Sequence, residues 1–208
     1  DSLLGDYGIK TDTPPQYPIG EVDPEAVVVS HGHLDHSGAV PALLRGSKRP
    51  PVHWTPPTRA LALRLAEDTL KLHGNTPQCP FTETDVRRLT HVSETHGYHE
   101  SFEAAGHEIT FYNAGHIPGS AHVLIDDGET RLLYTGDFYM RAGSGTRGQR
   151  LVESTTARPE ADAVITESTY HDVRHSDRAD IERQFVESVQ ATVWEGGTVV
   201  VPVFAIGR

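Results

Sequence analysis

The chain has 208 residues, enough for one sizeable core or for one domain with part of a second. Twenty-nine acidic residues against 18 basic ones leave a net charge of −11, which argues against a broad basic surface holding nucleic acid by charge alone. A single cysteine, Cys79, excludes an internal disulfide, and no stretch approaches the ~20 apolar residues of a membrane span, so a cytoplasmic protein with no membrane partner is expected.

In chain order, residues 1–4 read as the inside of a strand, followed by a polar, proline-rich loop to Pro24. Residues 26–30 (Ala-Val-Val-Val-Ser) predict a short buried strand, β-branched and uncharged. His31-Gly32-His33-Leu34-Asp35-His36 follows at once and packs four potential metal ligands into six residues. A tight loop at a strand end can aim several imidazoles at one point while the sheet holds them rigidly. Residues 37–44 read as the opening turns of a helix and 52–54 as a second strand. Pro56-Pro57-Thr58 introduces a helix over 59–72, with Leu61, Leu63, Leu65, Leu70 and Leu72 expected in the core and a stop at Gly74. A short helix is predicted over 83–89.

Four strands are predicted next, at 107–113, 121–125, 131–134 and 163–166, the last of them buried. Asp126-Asp127-Gly128-Glu129 marks a hairpin between the second and third. A long amphipathic helix over 177–194 and an apolar strand over 198–203 complete a layered α/β pattern. So apolar a strand near the terminus predicts a fragment lacking sequence at both ends, residues 1–195 forming one domain and 196–208 opening another.

Three more ligand-type residues fall at predicted strand ends. They are His116 in Ala114-Gly115-His116, Asp137 in Thr135-Gly136-Asp137, and Glu167 in Glu167-Ser168-Thr169-Tyr170. Glycine beside two of them permits close backbone approach and unusual φ.

In this order His-x-His-x-Asp-His, Ala-Gly-His and Thr-Gly-Asp resemble the successive motifs of the metallo-β-lactamase fold. Glu167-Ser168-Thr169-Tyr170 and Val203-Phe204-Ala205-Ile206-Gly207-Arg208 are similar to features of its β-CASP nuclease branch, in the RNA-processing form. The resemblance implies an incomplete αββα sandwich over 1–195 and the start of a β-CASP lobe over 196–208. It implies two zinc ions, one held by His31, His33 and His116, the other by Asp35 and His36, with Asp137 bridging. Asp35 would also orient a metal-activated hydroxide, and Glu167 would orient a histidine that protonates the leaving group. The implied function is hydrolysis of RNA phosphodiester bonds in RNA processing or decay, with single-stranded DNA and a homodimer as further possible partners. The 208-residue chain lacks a final zinc ligand and that histidine, so it is expected to be inactive by itself. His171 departs from the glycine usual after Ser-Thr-Tyr. The alternatives are a small-molecule hydrolase of thioesterase or lactonase type, which shares the metal motifs, and a non-catalytic scaffold subunit.

The remaining histidines are expected elsewhere. His91, His96 and His99 show no spacing of a closed zinc site, and His53, His73, His107 and His122 read as packing or surface residues. His175 is a candidate substrate-side group, and Arg147, Arg150 and Arg208 are candidate phosphate contacts.

Overall fold

A computed structural model describes residues 23–45, 49–74, 76, 79–140, 154–203 and 206. The expected opening strand, Arg147, Arg150, Arg208 and most of the 204–208 segment lie outside the described residues. Among the described residues the strands form two sheets. The first is parallel, in the order β1 (Val27–Val28), β2 (Val52–Trp54) and β3 (Ser93–Thr95). Parallel neighbours need crossovers, and helices supply them. α1 (Leu34–Ser37) and a 3-10 turn (Val40–Leu44) link β1 to β2, while α2 (Pro56–His73) and α3 (Glu83–Val92) link β2 to β3. The second sheet runs β4 (Ser101–Ala104), β5 (His107–Asn113), β6 (Ala121–Asp126), β7 (Arg131–Tyr134) and β8 (Ala163–Ile165). It is antiparallel up to β7, and β8 joins in parallel. The β4–β5 turn uses Ala105 and Gly106, both at positive φ, as a two-residue hairpin of matching twist requires.

Period-two alternation makes the first sheet apolar on both faces. Val27, Val29, Val52 and Trp54 pack outward against Leu44, Ala62 and Leu89 from the helical layer. Ala26 and Val28 point the other way, into a core with Ile109, Phe111, Ala121 and Val123 of the second sheet. Two sheets face to face with helices behind the first give the expected α/β sandwich.

Several expectations need correction. The helix expected at 37–44 begins earlier, at Leu34, and breaks at Gly38; Pro41 has no N–H to continue an α-helix, and a 3-10 turn replaces it. In α2 the buried stripe is Thr58, Ala62, Ala66 and Thr69, not the leucines. Leu63 and Leu70 are only partly buried, and Leu72 is 74% exposed. Small side chains at i, i+4 spacing let the helix lie close to its neighbours, leaving the leucines on its flanks. The strand at 163–166 pairs with β7 as β8 but is not buried: Val164 and Ile165 are 56% and 52% exposed. Residues 198–203 form no strand; among the described residues nothing offers them a ladder. α4 (Arg178–Trp194) starts where Asp177 accepts hydrogen bonds from the Ala179 and Asp180 N–H groups, and none of its residues is buried.

Candidate metal centre

Three loops at the ends of β1, β5 and β7 build the site, and each is fixed by local chemistry. His31 follows β1, and a Cβ on Gly32 would lie 2.9 Å from Leu61 Cβ, so only glycine lets α2 pack this closely. His33 caps α1, which carries Asp35 and His36. In the second loop, Asn113 Oδ1 accepts from Gly115 N–H at 2.9 Å, and Ser120 Oγ accepts from the His116 and Ile117 N–H groups at 3.0 and 3.2 Å. The hydroxyls of Thr55 and Thr58 both donate to Gly119 C=O, at 2.7 and 2.9 Å, tying this loop to the start of α2. The third loop turns at Gly136 (φ 53°), where a Cβ would sit 2.8 Å from Ser30 Cβ. Its neighbour Thr135 offers its C=O to the buried His122 Nδ1 at 2.9 Å.

These loops bring together side chains far apart in sequence. His33 Nδ1 lies 3.2 Å from His31 Nε2 and 3.1 Å from His116 Nε2. Asp137 Oδ2 lies 3.8 Å from His31 Nε2 and 3.5 Å from His116 Nε2. Donors about 2.0–2.1 Å from a tetrahedral ion stand roughly 3.3–3.4 Å apart, so the donor set fits a divalent transition ion. Ser30 Oγ, 3.2 Å from His31 Nδ1, can hold the proton there and leave the Nε2 lone pair facing the cluster. The other Asp137 oxygen, Oδ1, lies 3.5 Å from His36 Nε2, which is itself 3.5 Å from Asp35 Oδ2. Asp137 thus turns one oxygen to each of two groups of donors.

Burial sets the protonation states here. It drives His31 far below the ordinary imidazole value, helped by its histidine neighbours. His116 is pushed down to about 4, first by burial and then by His33. Both imidazoles are therefore neutral at pH 7, the form that ligates metal. Burial also pushes the Asp137 carboxyl above its usual range, against the pull of His36. Glu167 stands outside this donor set: its Oε1 accepts from the Phe138 N–H at 3.0 Å and holds the backbone just beyond Asp137.

The structure brings His31, His33, Asp35, His36, His116 and Asp137 together, with Glu167 one residue from Asp137 through Phe138. His175 sits against the Tyr170 ring, 4.8 Å between centroids, on the exposed side of the chain. His73, His91 and His107 are exposed. His53 is buried but not only in packing: its Nδ1 meets His96 Nε2 at 3.0 Å. That pairing crosses strands, and its signal was the β2–β3 register, which spacing in sequence does not reveal.

No helix among the described residues is long and apolar enough to cross a membrane. Residues 6–166 match the model of the metallo-beta-lactamase superfamily. RNase aCSPSF2 of Saccharolobus solfataricus is 33% identical over all of this chain and 42% of its own length. Probable RNase MJ4 of Methanocaldococcus jannaschii is 32% identical over 99% of this chain and 49% of its own. Cleavage and polyadenylation specificity factor 73 of Drosophila melanogaster is 34% identical over 88% of this chain and 26% of its own. The chain thus spans less than half the length of these curated relatives. Motifs, sandwich and relatives agree: the chain belongs to the metallo-β-lactamase superfamily, in its β-CASP nuclease family.

Proposed function

We propose that this chain carries the metal centre of a ribonuclease that hydrolyses RNA phosphodiester bonds in RNA processing or decay. His31, His33 and His116 would hold one zinc ion, Asp35 and His36 a second, and Asp137 would serve both. The observation that carries this reading is the split of the Asp137 carboxylate, Oδ2 toward His31 and His116 and Oδ1 toward His36. Two ions there would supply Lewis acidity toward phosphate oxygens and a nucleophile at neutral pH. They would also supply positive charge that a chain of net charge −11 otherwise lacks.

The protein's own groups do the rest. Neutral His31 and His116 keep their lone pairs available without a proton to displace. Asp35, half exposed beside His36, stands where a carboxylate can orient an attacking water and take its proton. Glu167 is a positioning residue: by fixing Phe138 N–H it restrains the loop that aims Asp137. In this reading residues 1–195 form the metallo-β-lactamase domain and 196–208 begin the β-CASP lobe. RNA as substrate is supported by relatives named as RNases and as a cleavage and polyadenylation factor.

The test is cleavage of end-labelled single-stranded RNA by the zinc-reconstituted product of the whole coding sequence. We expect cleavage that Asp137→Asn abolishes. Full zinc occupancy without cleavage of any RNA, together with hydrolysis of a thioester or lactone, would replace this reading with the small-molecule hydrolase.

A further inference from the structure

We propose that His53, His96 and Glu94 form a second, separate site for a zinc-type divalent ion, a staple between β2 and β3. The placement follows from strand geometry. His53 lies directly opposite Glu94 in the parallel register, and His96 is two residues beyond Glu94. Side chains at i and i+2 share a face, so all three project to the same side of the sheet. His96 N–H donates to Trp54 C=O at 3.0 Å, which extends the pairing and fixes the backbone beneath its ring.

The donor atoms converge. His53 Nδ1 lies 3.0 Å from His96 Nε2 and 3.7 Å from Glu94 Oε2, and one ligand atom from each residue falls within 4.8 Å of the others. Tetrahedral ligation asks for nitrogens roughly 3.3–3.4 Å apart, so the imidazoles need open by only a few tenths of an ångström. The exposed Glu94 side chain, free to change rotamer, can close the longer edge. Two histidines and one glutamate are a recognised zinc donor set that leaves a fourth position for water.

The surroundings favour an ion over a simple pair of rings. The Phe102 ring stacks on His96 at 3.6 Å and 8° and on His53 at 5.0 Å, walling the donors on the side of the second sheet. Between two neutral imidazoles facing each other only one proton can be shared, and Glu94 brings a carboxylate to the same point. Glu100, bonded to the Gly97 N–H, adds a second negative charge near His96. Burial holds both imidazoles below their ordinary value, so a proton is a poor source of the missing positive charge. A divalent cation supplies it without protonating either ring. Tyr98, whose hydroxyl donates to Ser120 C=O, faces the neighbouring loop instead.

The test is calorimetric titration of metal-stripped protein with zinc alone, for the wild type, His96→Gln and Glu94→Gln. We expect His96→Gln to bind one equivalent fewer than the wild type, and Glu94→Gln to bind that equivalent roughly tenfold or more weakly. Asp137→Asn, which strikes the other cluster, should leave this equivalent in place, so failure here is separable from failure of the proposed ribonuclease. Glu94 is 57% exposed at its side chain, so Glu94→Gln tests the site without disturbing the core. Equal zinc stoichiometry and affinity in the wild type and both variants would overturn the proposal.

Discussion

The His31 cluster takes its donors from loops after β1, β5 and β7, whereas His53 and Glu94 come from the adjacent strands β2 and β3, and His96 from the residue just past β3. The first needs turns held in unusual shapes: glycines at 115 and 136 with positive φ, and hydroxyls of Thr55, Thr58 and Ser120 bonded into the loop backbone. The second needs only register. Loops can aim donors from several directions and leave an open side for substrate, while a strand pair sets its donors along one sheet face and ties the two strands together. On the two proposals, the difference is that between a reactive centre and a staple, and experiments can set one against the other.

The largest expected effect is at the shared carboxylate. Asp137→Ala should lower metal affinity of the His31 cluster by about 100-fold or more, read by zinc titration, since a first ligand outweighs the outer groups that orient it. An unchanged affinity would remove Asp137 from the centre. Next come the loops. A Cβ on Gly115 would lie 2.5 Å from Thr155 N and 2.8 Å from Tyr139 O, at φ +72°. Gly115→Ala should therefore destabilise the fold by about 2–4 kcal/mol in urea unfolding, combining left-handed strain with overpacking. Gly106 has a similar φ but open space around it, so Gly106→Ala should lose only about 1 kcal/mol. Equal losses at the two glycines would mean that crowding around the Gly115 loop does not matter.

Overpacking of the helical layer should be milder. Ala62→Leu forces bulk into the α2 contact with the first sheet and should lose about 1–3 kcal/mol. Protonation gives a comparison without mutation. Folding lowers His116 from 6.5 to about 4 and His31 further, so the unfolded chain binds more protons in that range. The metal-free protein should hold this contribution fully above pH 6.5 and lose it as pH falls toward 4. A melting temperature flat across that window would contradict the buried, neutral imidazoles. The smallest effect is Leu72→Ser at the exposed end of α2, within about 0.5 kcal/mol.

The loop-built cluster was legible in sequence because its candidate ligands His31, His116 and Asp137 follow strands and stand beside glycine, with His33, Asp35 and His36 close behind His31. His31, His116 and Asp137 could be read this way, and the structure brings them together. Strand-built features were not legible. β3 is Ser-Glu-Thr, too short and polar to show alternation, so the facing of His53 and Glu94 had no local signature. β4 was missed for the same reason, being four residues with only Ala104 buried. Leucines misled in α2 because composition favours the bulky residue, while close packing on a sheet favours alanine and threonine at i, i+4. The exposure of β8 and α4 was equally hidden, since alternation and amphipathicity say which face wants cover, not what provides it.

Anomalous diffraction at the zinc edge, from crystals grown with zinc, would show whether ions sit on both sides of the Asp137 carboxylate. At the His31 cluster two peaks are expected roughly 3.5–4 Å apart, one within bonding distance of His31, His33 and His116, the other of Asp35 and His36, with Asp137 beside both, in addition to the separate peak proposed at His53, Glu94 and His96. No zinc peak against His31, His33, Asp35, His36, His116 or Asp137, whatever binds elsewhere, would contradict the proposed centre.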